Sequence, residues 1–156
     1  HGLLRRQRQM CIRDSVSVGR GTATPFEHIG APWIHEGRLV ARLREENVPG
    51  ILFLPTRFTP NTSVYDGEDC GGVKFLITDR DAVRPLDLGL ALMRSLHDLH
   101  PDTFSLAEKG NILLRHEKTL QAALDLESKA AIREGWDPEL DRFLKRRKAF
   151  LLYSRD

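Results

Sequence analysis

A chain of 156 residues is the length of one ordinary domain and long enough to bury a core of its own. Hydrophobic residues at 40% and charged residues at 29% exclude a disordered chain, and no apolar run approaches the roughly 20 residues a membrane-spanning helix needs. The balance of 24 Lys and Arg against 22 Asp and Glu is skewed by Arg5, Arg6, Arg8, Arg13 and Asp14; without residues 1–15 it becomes 20 against 21, which removes the electrostatic case for nucleic-acid binding.

Residues His1–Ser15 put arginines and glutamines where a signal peptide carries its apolar segment. The string RQRQMCIRDS resembles a translated sequencing-adapter remnant. Residues 1–15 are therefore read as a non-native tail, and 16–156 as the domain. The other reading of the tail is a basic arm for nucleic acid or an acidic partner. Cys11 lies in this tail, so Cys70 stands alone in the domain and forms no internal disulfide. No CxxC or HExxH pattern occurs, and His97 and His100 lack a third ligand, so neither a metal nor a cofactor is expected.

In chain order, Val16–Ser17–Val18 predicts a short strand that runs into a turn at Gly19–Arg20–Gly21–Thr22. Glycine permits the backbone conformations a tight turn demands, which would present Arg20 beside exposed amide groups. A guanidinium in that setting suits a carboxylate, a phosphate or sugar oxygens; a turn with a surface charge is the plainer reading. A helix over Arg38–Asn47 turns Leu39 and Leu43 inward until Pro49–Gly50 breaks it. Ile51–Leu54 reads as a buried strand ended by Pro55. The loop Thr56–Gly72 is long for a compact domain and holds an aromatic, acids and a Gly–Gly pair, which favours a functional role.

Val73–Thr78 is the next strand. A helix follows over Pro85–Leu99, with Leu88, Leu92, Leu96 and Leu99 as its buried stripe and His100–Pro101 as its end. Residues 102–117 carry no clear pattern. Lys118–Ile132 predicts a helix that stops near Gly135. A terminal helix begins at Asp137–Pro138, and Trp136, Leu140, Phe143, Leu144 and Phe150 at helical spacing predict that it packs inward. Lys145–Arg146–Arg147–Lys148 is then its solvated face. These elements compose an α/β or α+β domain with a small sheet and about four helices.

The string VSVGRGTATPFEHIGAPWI, residues 16–34, resembles the signature of the NamZ-type exo-β-N-acetylmuramidases, a bacterial glycosidase family. The resemblance continues through Pro55–Thr56–Arg57–Phe58–Thr59–Pro60, Tyr65–Asp66–Gly67–Glu68–Asp69–Cys70–Gly71–Gly72–Val73, Thr78–Asp79–Arg80 and Arg84–Pro85. It closes at Trp136, Phe143, Arg146 and Leu151–Leu152–Tyr153.

That resemblance implies a two-part protein, in which an N-terminal Rossmann-like domain bears the acidic residue of catalysis and a C-terminal domain closes the cleft. The present chain matches only the C-terminal part. The implied activity is release of terminal β-1,4-linked N-acetylmuramic acid from peptidoglycan fragments, as in cell wall recycling. This piece would supply the substrate-binding half and be inactive alone, its partners being a muramic-acid-containing saccharide and the missing domain. The family setting is secreted, periplasmic or envelope-associated.

Within that setting Arg20 and Thr22 would hold the lactyl carboxylate. Tyr65 would stack on the sugar or donate a hydrogen bond. Glu27 and Glu68 are the candidate catalytic acids, since glycoside hydrolysis uses paired carboxyl groups. Glu27 has an alternative role as a turn cap or partner of Arg20. Cys70, beside Gly71–Gly72, joins the substrate-binding set as a packed small residue rather than a nucleophile. Arg57 and Arg80 are weaker candidates. The competing reading is a non-catalytic carbohydrate- or anion-binding module, although no GxxxxGK[ST] phosphate loop occurs.

Overall fold

The computed structural model describes residues 16–104 and 116–151. The tail 1–15, most of the patternless stretch 102–117 and the motif residues Leu152 and Tyr153 lie outside them. The fold is α+β. A three-stranded antiparallel sheet, in the order β1-β3-β2, is formed by β1 (His28–Ala31), β2 (Ile51–Phe58) and β3 (Cys70–Ile77). Helix α1 (Glu36–Glu45) lies between β1 and β2 in sequence and packs on the sheet. Helices α2 (Pro85–Leu99), α3 (Glu117–Leu124), α4 (Lys129–Glu134) and α5 (Asp137–Lys148) follow.

The main core fills the layer between the sheet and helices α1 and α2. Ile51, Phe53 and Val73 from the sheet meet Leu39, Val40 and Leu43 of α1 and Ala91 and Leu96 of α2. Leu39 and Leu43 are fully buried, as helical spacing predicts. Of the α2 leucines, Leu96 is fully buried; Leu88, Leu92 and Leu99 are partly buried against the same core. Pro85 occupies the first turn of α2 and His100 caps its end.

Several boundaries differ from the sequence expectation. Val16–Val18 is not a strand: only Ser17 bridges, to Gly30, and the regular strand is His28–Ala31. β2 does not stop at Pro55 but continues to Phe58. It lies at the sheet edge, where the missing proline N–H takes no hydrogen bond from the ladder. β3 starts at Cys70, so the long loop shortens to residues 59–69. The reason is close backbone approach: Gly72 sits opposite Gly30, and a Cβ on Gly72 would fall 1.9 Å from the Ile29 carbonyl oxygen.

The expected helix over Lys118–Ile132 is two helices. Leu126 takes a left-handed φ of 58° between them, and the Ser128 side chain caps α4 by accepting from Ala131 N at 3.1 Å. The terminal helix does not pack inward. Trp136 reaches a second small cluster of Leu90, Ala123 and Ile132, but no residue of α5 itself is buried. Its basic run is exposed, as its charge predicts, but its apolar residues are exposed too.

Candidate sugar-binding face

The site begins with the glycines. Gly19 and Gly21 take φ of 72° and 79°, the left-handed region closed to most side chains. Thr22 closes the turn by donating both its N–H, at 3.1 Å, and its hydroxyl, at 2.7 Å, to the Gly19 carbonyl. Arg20 stands exposed at the apex, its guanidinium 5.5 Å from the Phe26 ring centroid. Phe26 N–H donates to Val18 O at 2.8 Å and shuts the loop at its base.

Inside the loop sits His28, which sequence reasoning did not single out. It is 4% exposed, with Nε2 3.3 Å from the Thr22 hydroxyl and Nδ1 3.3 Å from the Thr24 hydroxyl. The Phe58 ring lies 4.2 Å away, and a Cβ on Gly19 would fall 2.3 Å from Nε2, so glycine there makes room for the imidazole. Burial, reinforced by Lys74, lowers the His28 pKa from its ordinary value, with Glu27 opposing, so the neutral ring is favoured. A lone histidine at the entry to an apolar strand, four and six residues after two threonines, was the available signal.

The second loop, residues 59–69, comes up against the first. Asn61 N–H donates to Gly21 O at 3.2 Å, and a Cβ on Gly21 would lie 2.5 Å from Asn61 Oδ1. The loop is shaped by Gly67 N–H donating to Pro60 O at 2.8 Å and Glu68 N–H to Tyr65 O at 3.0 Å. Segments some forty residues apart in sequence thus share one surface.

The candidate residues do not all face outward. Arg20, Glu27 and Glu68 are exposed and Thr22 is half-buried. Glu27 pairs with Lys74 at 3.4 Å, not with Arg20. Tyr65, at φ 62°, is buried, and its hydroxyl accepts from Trp33 Nε1 at 3.0 Å. Cys70 is fully buried, its thiol donating to Glu68 O at 3.6 Å. Burial, together with Glu68 and Asp69, pushes that thiol up to about 11, which keeps it protonated near neutrality. Arg57 is held by Asp69 at 2.6 Å and Glu36 at 3.2 Å. The chemistry on offer is an exposed guanidinium on a hydrogen-bonded glycine turn that also carries the Thr22 hydroxyl, with Glu27 exposed beyond the same loop and Glu68 exposed on the second. That combination can hold an anionic, hydroxyl-bearing ligand.

The family described as "Exo-beta-N-acetylmuramidase NamZ, C-terminal" matches residues 9–153 of this sequence. The chain belongs to that family. Among curated proteins it is 33% identical over 141 residues to the peptidoglycan β-N-acetylmuramidase NamZ of Bacillus subtilis (strain 168), covering 89% of this chain and 34% of that protein. Among solved structures it resembles a DUF1343 family protein from Bacteroides fragilis, with a TM-score of 0.60 and 21% identity over 89% of this chain and 38% of that one. The latter likeness concerns the fold. The chain therefore spans little more than a third of the length of either relative.

Proposed function

We propose that this NamZ-family domain supplies the sugar-acid-holding part of a peptidoglycan β-N-acetylmuramidase, with Arg20 on the lactyl carboxylate of N-acetylmuramic acid. The observation that carries the reading is the meeting of the Gly19–Thr22 turn with the 59–69 loop through Gly21 and Asn61. The turn lies in one segment of the family resemblance and the loop includes parts of two others, Thr59–Pro60 and Tyr65–Asp69, and Arg20 stands exposed at the apex.

Roles follow from position. Arg20 binds the carboxylate in a charge-assisted contact, and Thr22 and the glycine turn hold Arg20 at the right height. Glu27 and Glu68 are exposed acids of the two loops and the candidates for a catalytic or water-positioning role. Tyr65 and Cys70 serve through the shape of the loop, since both are buried. The B. subtilis relative has about twice as much further chain as it shares with this one. Cleavage is assigned to the longer protein, with an acid from a separate N-terminal domain, and this piece alone binds without cutting.

A NamZ-length protein containing this domain should release N-acetylmuramic acid from a muramyl disaccharide. Arg20→Ala should lower kcat/KM by about 10–100-fold, the worth of one hydrogen bond to a charged group. The same change should move Tm by less than about 2 °C, because Arg20 is exposed. Failure to release the sugar overturns the enzyme assignment. Equal loss of activity and stability makes Arg20 a structural residue.

A further inference from the structure

Helix α5 (Asp137–Lys148) carries an apolar stripe that no described residue buries. At 100° per residue, Leu140, Phe143 and Leu144 share one side, and they are 49%, 50% and 39% exposed. Trp136, just before the helix, is anchored through its Nε1 donating to Thr119 Oγ1 and its seat in the second apolar cluster, and Glu139 lies 3.8 Å from His116. A helix of 12 residues gains little stability in water by itself; most comes from packing an amphipathic face.

The charges on the same helix are segregated along its axis. Asp137, Glu139 and Asp141 outnumber Arg142 in the first half, and Lys145, Arg146, Arg147 and Lys148 fill the last turn, with Arg147 continuing the line of the stripe. Each end matches its own helix dipole, and the distribution is self-complementary when two copies run antiparallel. With a two-fold axis near Phe143–Leu144, the acids of one copy face the bases of the other, and the apolar stripes meet between them.

We propose that α5 is the contact helix of a two-fold symmetric dimer of this chain, paired antiparallel with the α5 of a second copy. The contact is isologous: Phe143 of each copy packs on Leu144 of the other, and the charged rims set direction. It uses none of the residues of the proposed sugar-binding site and does not depend on that reading. One helix face per copy falls short of the about 800 Å² per partner of a standard interface, so the dimer is reversible.

Sedimentation equilibrium of the 156-residue chain tests this directly. The mass should rise with concentration from 17.8 kDa towards twice that value. The expected dissociation constant is about 10–100 µM. Phe143→Asp should weaken association at least about tenfold, and because the residue is exposed the circular dichroism should be unchanged. Lys145→Glu with Lys148→Glu should also weaken it, and adding Asp137→Lys with Asp141→Lys to the same chain should restore it. A monomer at about 500 µM overturns the proposal, and would be seen if the remaining chain of a NamZ-length protein normally covers the stripe. A dimer indifferent to Phe143→Asp overturns it as well. A dimer indifferent to the charge reversals overturns the antiparallel pairing.

Discussion

The sheet with α1 and the terminal helix α5 are built from similar amphipathic sequence and end in opposite states. Leu39 and Leu43 of α1 are 0% exposed, whereas Leu140 and Phe143 of α5 are about half exposed. The difference is the presence of a facing surface: α1 has Ile51, Phe53 and Val73 of the sheet opposite it. No described residue buries the side chains of α5. Apolar spacing reports a face that wants covering; it does not report what covers it. The contrast has a direct measure. Leu43→Ala should destabilise the chain by about 3 kcal/mol, removing a fully buried side chain. In a chain of this size that is a fall in Tm of about 6–12 °C. Phe143→Ala, measured in dilute protein, should cost less than about 0.5 kcal/mol. Equal costs would mean that α5 is as well packed as α1.

Where α1 meets α2 and α4 the join is polar. Glu46, at the end of α1 and 5% exposed in its side chain, pairs with Arg42 at 2.9 Å and with Arg94 of α2 at 3.3 Å. Lys129 of α4 reaches both its carboxylate, at 3.7 Å, and its carbonyl. Arg94 also donates to the carbonyls of Leu126 and Glu127, which satisfies the irregular linker between α3 and α4. Arg133 of α4 pairs with Asp87 of α2 nearby. Removing the carboxylate leaves largely buried cations uncompensated. Glu46→Ala should therefore cost about 2 kcal/mol, less than the upper range because Arg42 keeps Asp98 at 2.7 Å. Hydrogen exchange should show α3 and α4 opening before the strands. If all amides accelerate together, the junction does not separate the regions.

What was legible in the sequence follows the same division. The cores of α1 and α2 were readable because 3.6-residue periodicity and a proline start act locally: Leu39, Leu43, Leu96 and Pro85 sit where the pattern puts them. Strand limits were not, because they depend on partners. Cys70–Gly72 becomes strand because Thr56–Phe58 of β2 lies opposite it on one side and, for Gly71 and Gly72, Ala31 and Gly30 on the other, and Pro55 stays in β2 because its strand is at the edge. At the candidate site, the glycine turn and exposed Arg20 were visible in residue type. The inward placement of Tyr65, which depends on Trp33, was not. Neither was the burial of His28, which depends on Phe58 from another strand.

His28 supplies the smallest effect and the sharpest check on the loop. Its pKa in the folded chain lies below the unfolded value of 6.5, first because it is buried and then because Lys74 is close; Glu27 pulls the other way. The unfolded chain therefore binds the proton more readily, and stability must rise with pH across the interval just below 6.5. The stabilisation is complete above that value and is lost as acid protonates the unfolded ring first. His100, half-buried against Trp33 and near Arg38, is lowered in the same direction, so the two contributions add. Urea midpoints measured at about pH 7.5 and about pH 5.5 should accordingly be lower in acid. Lys74→Met should shrink that difference by removing one cause of the His28 shift, and it should leave the His100 part intact. His28→Gln should shrink it further while keeping polar contact with Thr22 and Thr24. If His28→Gln leaves the pH dependence untouched, the imidazole is not held neutral inside the Gly19–Glu27 loop, and the turn that presents Arg20 rests on its glycines alone.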